Sequence, residues 1–270
     1  MNSKNEKVAL LIIDPQNDFC SPKGTLHVLG AEADNERLAL WMLKNKGEID
    51  QVVVTLDSHH VLDISHPKFW VGKDGKSPDP FTIITAKDVL DGVWKSTVKL
   101  FGENREYVYL EELEKQGEFP HCIWPEHCLV GSWGQAVDTV INGALREWVL
   151  GGSNARYVSY VSKGAHPMTE YFGAFRPQVS IDGSPESINI QLIETLNKYD
   201  VIYLAGQAKS HCVANSLKQI MELSMPVAKK FVVLEDTMSN VSGYEHIADS
   251  IYERAKNEGI RFTTTTEESL

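Results

Sequence analysis

The 270-residue chain carries only four cysteines, Cys20, Cys122, Cys128 and Cys212, and no CxxC pair. So sparse a set excludes a disulfide scaffold and the paired-thiolate zinc sites, and it fits reduced thiols in the cytoplasm. Long apolar runs are missing as well. Val8–Ile13 is too short for a membrane span or for the core of a secretory signal, and Met1–Lys7 ahead of it is polar, so no membrane association is expected. Basic charge is in deficit: 26 Lys and Arg face 37 Asp and Glu, a formal net charge of −11. A nucleic-acid binder must neutralise phosphates, and this balance argues against one. What remains is the composition of a soluble globular protein, 42% hydrophobic and 23% charged.

Short apolar runs alternate with helical periodicity. Val8–Ile13, Val52–Leu56, Tyr157–Val161, Val201–Ala205 and Phe231–Leu234 read as strands. Ala31–Lys44, Trp133–Trp148, Ile188–Lys198, Val213–Leu223 and Tyr244–Glu258 read as helices. Strands that are apolar throughout and alternate with helices predict an α/β fold of three layers, a mostly parallel sheet flanked by helices. Residues 1–270 read as a single domain. The stretch at about 71–120 fits the alternation poorly: GKDGKSPDP is polar, and Asp88–Leu90 and Glu103–Lys115 have room for a short hairpin or helix. It reads as an insertion or a lid. Thr263–Leu270 reads as a polar tail.

In an open parallel sheet, ligands bind just past the carboxyl ends of the strands. Asp14, Asp57, Lys163 and the segment Gly206–Cys212 all fall there. Cys212 follows the run VIYLA and the loop GQAKSH and opens a predicted helix, where the dipole and free N–H groups favour a thiolate. The same N–H groups suit an oxyanion; the competing reading is a small thiol that only packs. Asp14 could accept a thiol proton or cap the turn made with Pro15 and Asn17. Lys163 near a thiolate would stabilise it, although most lysines are solvated surface residues. Asp57 and His59 are spaced to point to one side of a strand, and His127 could complete a three-ligand metal set with open positions. His60 and His66 are nearby spares, and several of these histidines could equally be plain loop residues.

The segments LLIIDPQNDFC, TLDSHH, IWPEHCLVGSWG, VSKG followed by EYFGAF, LAGQAKSHCVANS and VLEDTMS occur in this order along the chain. Together they resemble the isochorismatase-like cysteine hydrolases, and the nicotinamidases (pyrazinamidases) in particular. The resemblance covers nearly the whole chain apart from about 71–120. It implies that family's parallel-sheet fold and a catalytic triad of Asp14, Lys163 and Cys212. It further implies a divalent metal on Asp57, His59 and His127, zinc first, with iron or manganese as alternatives. The oxyanion hole would use the N–H groups of Ala208 and Cys212, with a cis peptide at Gln207–Ala208. Phe19 and Trp124 would wall a pyridine pocket, with Tyr171 a looser match.

The activity implied is cysteine-dependent hydrolysis of nicotinamide to nicotinate and ammonia, in cytoplasmic NAD salvage, by a homo-oligomer. Where the family commonly has an aromatic residue and then His-Pro after TLD, this chain has Ser58 and, in the proline place, His60. DISHPKFW and the 71–120 stretch also add wall or lid material ahead of WPEHC. Two other readings compete: a relative acting on another small amide or carbamoyl substrate, and a non-catalytic binding protein. A binding protein has no need of all three triad residues.

Overall fold

The apolar runs pair into a six-stranded sheet of β1 (Val8–Ile13), β2 (Ile49–Asp57), β5 (Ser159–Lys163), β6 (Val201–Gly206), β7 (Phe231–Leu234) and β8 (Arg261–Thr263). The order is β5-β2-β1-β6-β7-β8, with every pairing parallel. The computed structural model describes residues 6–99, 102, 104–117, 119–152, 155–180 and 188–270. Both faces of the sheet are covered, which is why β1 is apolar at every position. Ala9, Leu11 and Ile13 face one layer, against Leu192 and Leu196 of α6 (Ile190–Asn197), Leu217 and Ile220 of α7 (Ala214–Leu223), and Ile251 of α9 (Asp249–Asn257). Leu10 and Ile12 face the other, against Leu38, Trp41 and Met42 of α2 (Ala31–Lys44) and Ile141, Leu145 and Trp148 of α5 (Thr139–Leu150). This is the three-layer α/β arrangement that the sequence predicts, with a sheet that is parallel throughout.

From β1 the chain builds outward on one side through β2 and β5, then returns to lay β6 on the other side of β1. The strand order therefore reverses between β1 and β6, where an open sheet forms its ligand crevice. Register fixes what meets at that edge: Ile13 pairs with Gly206 and Asp57 with Lys163. Gly206 has φ +114, and a Cβ there would meet the Ile13 carbonyl oxygen at 2.1 Å, so only glycine lets the chain turn off β6 this close to β1.

The 71–120 stretch holds α3 (Ala86–Leu90), β4 (Trp94–Ser96) and most of an antiparallel pair with β3 (Trp70–Gly72), followed by α4 (Arg105–Gln116). A capping box between Thr85 and Asp88 starts α3. Positions 100, 101, 103 and 118, including the Glu103 at which a hairpin or helix could begin, lie outside the described residues. The stretch has an apolar cluster of its own, in which Ile84, Tyr109, Leu110 and Leu113 pack on Ile64, Phe69, Trp70 and Met168.

Several boundaries differ from the sequence reading. The helix expected from Trp133 begins at Thr139, capped by Asp138, because the carbonyls of Gly134 and Ala136 instead accept the N–H groups of Asp18 and Asn17. The strand expected at Tyr157–Val161 runs two residues later and includes Lys163. Cys212 does not open a helix: it lies in the π-helical segment Lys209–Val213, which leads into α7. The helix expected from Tyr244 begins at Asp249, after turns around Gly243. Among the described residues, no helix is long and apolar enough to cross a membrane.

The end of the chain is no free tail. Thr263 closes β8, and beyond it Glu268 accepts hydrogen bonds from the Tyr203 hydroxyl (2.5 Å) and from both terminal nitrogens of Arg261 (2.8 and 2.9 Å). Its carbonyl accepts the Trp41 indole N–H at 3.0 Å. Glu268→Ala should therefore cost about 1–3 kcal/mol, read as a lower urea-unfolding midpoint; an unchanged midpoint would show that these bonds add nothing.

Candidate active site

Asp14 stands one residue past β1, fully buried, at φ +43, a conformation few non-glycine residues adopt. Thr55 of β2 holds it there: its Oγ1 accepts the Asp14 N–H at 3.0 Å and donates to Asp14 Oδ1 at 2.6 Å. Lys163, at the end of β5, reaches across the strand ends, its side chain 2% exposed. Its Nζ lies 2.8 Å from Asp14 Oδ2, 3.0 Å from Asp57 Oδ1 and 2.8 Å from the Tyr171 carbonyl oxygen. Nζ donates to Asp57 Oδ1 and to the Tyr171 carbonyl oxygen, and pairs with Asp14 Oδ2 as an ion pair. Cys212 Sγ accepts its third hydrogen bond, at 3.6 Å.

Burial alone would push Lys163 down, but Asp14, Asp57 and Cys212 hold it well above the usual lysine value. Asp57 stays far below the carboxylate range despite burial, because His59 and Lys163 flank it. Asp14 moves the other way: burial raises it, and Lys163 offsets only part of the rise. The Cys212 thiol is likewise pushed well up by burial, which Lys163 opposes while Asp14 and Asp57 add to it. Burial thus works against the thiolate that a helix N-terminus would favour. The sulfur accepts from the Lys163 ammonium at 3.6 Å, and the same ammonium pairs with the Asp14 carboxyl group.

Asp57 turns its other oxygen toward two imidazoles: Oδ2 is 3.0 Å from His59 Nε2 and 3.6 Å from His127 Nε2. His127 comes from the loop ahead of α5, which is zipped to His59 by the His59 N–H on the Cys128 carbonyl and the Val130 N–H on the His59 carbonyl, both at 3.0 Å. Because a carbonyl only accepts, His127 Nδ1 donates to the Pro125 oxygen at 2.8 Å, which turns Nε2 toward Asp57. In the same way His59 Nδ1 donates to Asp63 Oδ2 at 3.0 Å. Ligand atoms of Asp57, His59 and His127 lie within 4.8 Å of one another, all three residues buried. Converging acceptors in a dry site require positive charge between them, and the donor set and its hydrogen-bonded outer partners fit a divalent cation. A proton on His59 meets the same need: burial lowers this imidazole, but Asp57 and Asp63 hold it well above its usual value.

Both spare histidines stand outside this set. His60 is exposed, and only its carbonyl takes part, accepting from His66 Nδ1 at 3.0 Å. His66 is buried behind His127 and accepts the His127 N–H at 3.4 Å; burial and the two neighbouring imidazoles push it down to about 3, so it stays neutral.

Between the two centres lies a pocket lined by Phe19, Trp124, Phe172, Ala208, His211 and Cys212, with Asp57, His127 and Glu170 at its polar side. Phe19 and Trp124 line this pocket, and a cis peptide joins Gln207 to Ala208. Tyr171 is not among the lining residues: its carbonyl accepts from Lys163, and Phe172, the next residue of the EYFGAF motif, lines the pocket instead. Sequence reasoning missed the supporting residues. Gln16 clamps Asp57 at both backbone groups, accepting its N–H at 2.7 Å and donating to its carbonyl at 2.7 Å. Asp18 accepts the Cys128 N–H at 2.6 Å. Both residues sit inside DPQND, the motif already singled out for Asp14. Gly164, at φ +78, leaves room for Asp57, since a Cβ there would meet Oδ1 at 2.7 Å.

No family model matches the chain. It is 23% identical over 252 residues to the nicotinamidase of Saccharomyces cerevisiae, covering 93% of this chain and 96% of that protein. The crystal structure of the yeast nicotinamidase bound to the inhibitor nicotinaldehyde superposes with a TM-score of 0.65 at 21% identity, covering 95% of this chain and 99% of that one. A nicotinamidase/pyrazinamidase from Acinetobacter baumanii gives 0.64 at 19% identity (98% and 99% covered). The pyrazinamidase of Pyrococcus horikoshii, solved in complex with zinc, gives 0.56 at 18% (96% and 99%). The chain has the fold of these proteins.

Among the described residues, Lys163 is the cation that lowers the Cys212 thiol. Lys163→Met should therefore raise it, and each unit of rise cuts the thiolate fraction about tenfold. Alkylation of Cys212 by iodoacetamide at pH 8, followed by mass spectrometry on the folded protein, should slow accordingly; an unchanged rate would separate Lys163 from the thiol.

Proposed function

We propose that the protein hydrolyses nicotinamide, or a closely related heteroaromatic carboxamide, to the acid and ammonia, with Cys212 as the nucleophile. The observation that carries this reading is the single ammonium of Lys163 joining Asp14, Asp57 and Cys212 at the floor of an aromatic-walled pocket. Likeness to nicotinamidases over more than nine-tenths of the chain supports it.

Asp14, raised by burial, is suited to act as base and then as acid. It takes the thiol proton as Cys212 attacks the amide carbon, and Lys163 balances the charge that appears on sulfur. The oxyanion rests on the N–H groups of Ala208 and Cys212, both at the pocket. Asp14 returns the proton to the departing nitrogen, ammonia leaves, and water opens the thioester. Asp57, His59 and His127 would hold a divalent metal, which supplies a Lewis-acidic anchor for the ring nitrogen. We assign zinc first, since the Pyrococcus horikoshii relative is solved with zinc and the Asp/His/His set suits it. Phe119, packed at 5.5 Å on Phe172 and 5.7 Å on His211, extends the insertion to the pocket wall, and we read 71–120 as wall and lid. We read the reaction as a step of NAD salvage in the cytoplasm, on the strength of the likeness to nicotinamidases.

Ammonia release from nicotinamide, pyrazinamide, benzamide and an aliphatic amide, before and after chelation, tests the reading. Nicotinamide should turn over, chelation should depress it, and Cys212→Ala should reduce it to background with the fold retained. A wild-type protein that releases ammonia from none of the four would sink the proposal.

A further inference from the structure

Glu170 is 4% exposed and lines the pocket beside Asp57 and His127, yet its Oε1 has no hydrogen-bond partner among the described residues. Its main chain is satisfied, the carbonyl accepting the Gln178 N–H at 2.7 Å. The Tyr109 hydroxyl is buried nearby, but it is also without a partner and so does not supply one. A buried carboxyl oxygen left unpaired is costly, and an apolar side chain of similar size would line a pyridine pocket without that cost. The missing partner is therefore a donor brought into the pocket.

A simple heteroaromatic carboxamide offers donors only at its amide nitrogen, which has to lie at Cys212. Glu170 lines the pocket together with Asp57 and His127 of the metal set. It is not a direct ligand, since its carboxyl is outside the group of atoms that converge within 4.8 Å. Three protein ligands leave positions on a divalent cation open to solvent, and water polarised by a cation is a strong donor.

We propose that Glu170 is a positioning residue of the metal centre, its free Oε1 accepting a hydrogen bond from the solvent that fills the open positions of the Asp57/His59/His127 set. It thereby fixes which positions carry water and which one faces the aromatic walls. The inference rests on the metal reading given under Proposed function.

Affinity for Zn²⁺ and for Mn²⁺ alone, measured by chelator competition, and thermal melts of metal-free and metal-loaded protein test it in wild type, Glu170→Leu, Glu170→Gln and His127→Ala. Glu170→Leu should bind metal about 10- to 100-fold more weakly, while its metal-free form melts no lower than wild type because an orphaned oxygen has gone. Glu170→Gln, which keeps an acceptor oxygen and loses the carboxyl group, should fall between the two. A residue that only supports the fold would give the reverse, a lower melting temperature with unchanged metal affinity. If Glu170→Leu (or Glu170→Gln, should the leucine variant not fold) binds metal like wild type while His127→Ala does not, the role of Glu170 is overturned and the ligand set stands. Wild type that binds neither metal overturns both.

Discussion

An ammonium group sealed from water holds the active centre together. With its side chain 2% exposed, Lys163 is tolerable only because Asp14, Asp57 and the Tyr171 carbonyl meet it within 3.0 Å. Asp14 depends on the lysine most, while Asp57 shares its charge between the lysine and His59. The three come from the ends of β1, β2 and β5, and they meet because Asp57 is in register with Lys163 while β1 lies beside β2. A slip of one residue in any of these pairings would turn the charged side chains to the opposite face of the sheet. The register of the sheet is in this sense a property of the chemistry as well as of the core.

Around this cluster the chain uses loop side chains to hold backbone. Gln16 grips Asp57, Asp18 grips Cys128, and Thr55 grips Asp14. Asp14 and Cys128 both have positive φ without being glycine, a strain of roughly 1–3 kcal/mol each that persists only where the surroundings dictate it. One belongs to the buried charge cluster and the other to the loop that carries His127; Phe81 and Asn104, also at positive φ, lie in the 71–120 stretch.

How much of this could be read beforehand depended on whether a residue's role is local. Strands buried on both faces announce themselves by unbroken apolar runs, so β1, β6 and β7 lie where the sequence puts them. β5, an edge strand with a mixed pattern, is displaced by two residues, and the short RFT of β8 carries too little signal to be seen. Asp14, Asp57 and Lys163 are marked by their places at strand ends, and Cys212 and His127 by the motifs around them. The ionisation of Cys212 is not marked, because it depends on how deeply three elements bury the thiol and not on the helix that follows it. Tyr171 and Phe172 show the same limit: adjacent aromatic residues in one motif differ in role only by which way the chain turns. Glu170 was within a quoted motif, but nothing in the sequence says that one of its oxygens lacks a partner.

Asp57 divides its two oxygens between neighbours that would otherwise be independent. Oδ1 serves Lys163 and through it the thiol, while Oδ2 serves the imidazoles. Charge drawn toward one oxygen is charge withdrawn from the other, so occupancy at the histidines and proton affinity at the cysteine are thermodynamically coupled, and by reciprocity each responds to the other with the same free energy. The pocket between them is enclosed by a single electrostatic circuit, in which one carboxylate reports the state of either end to the other.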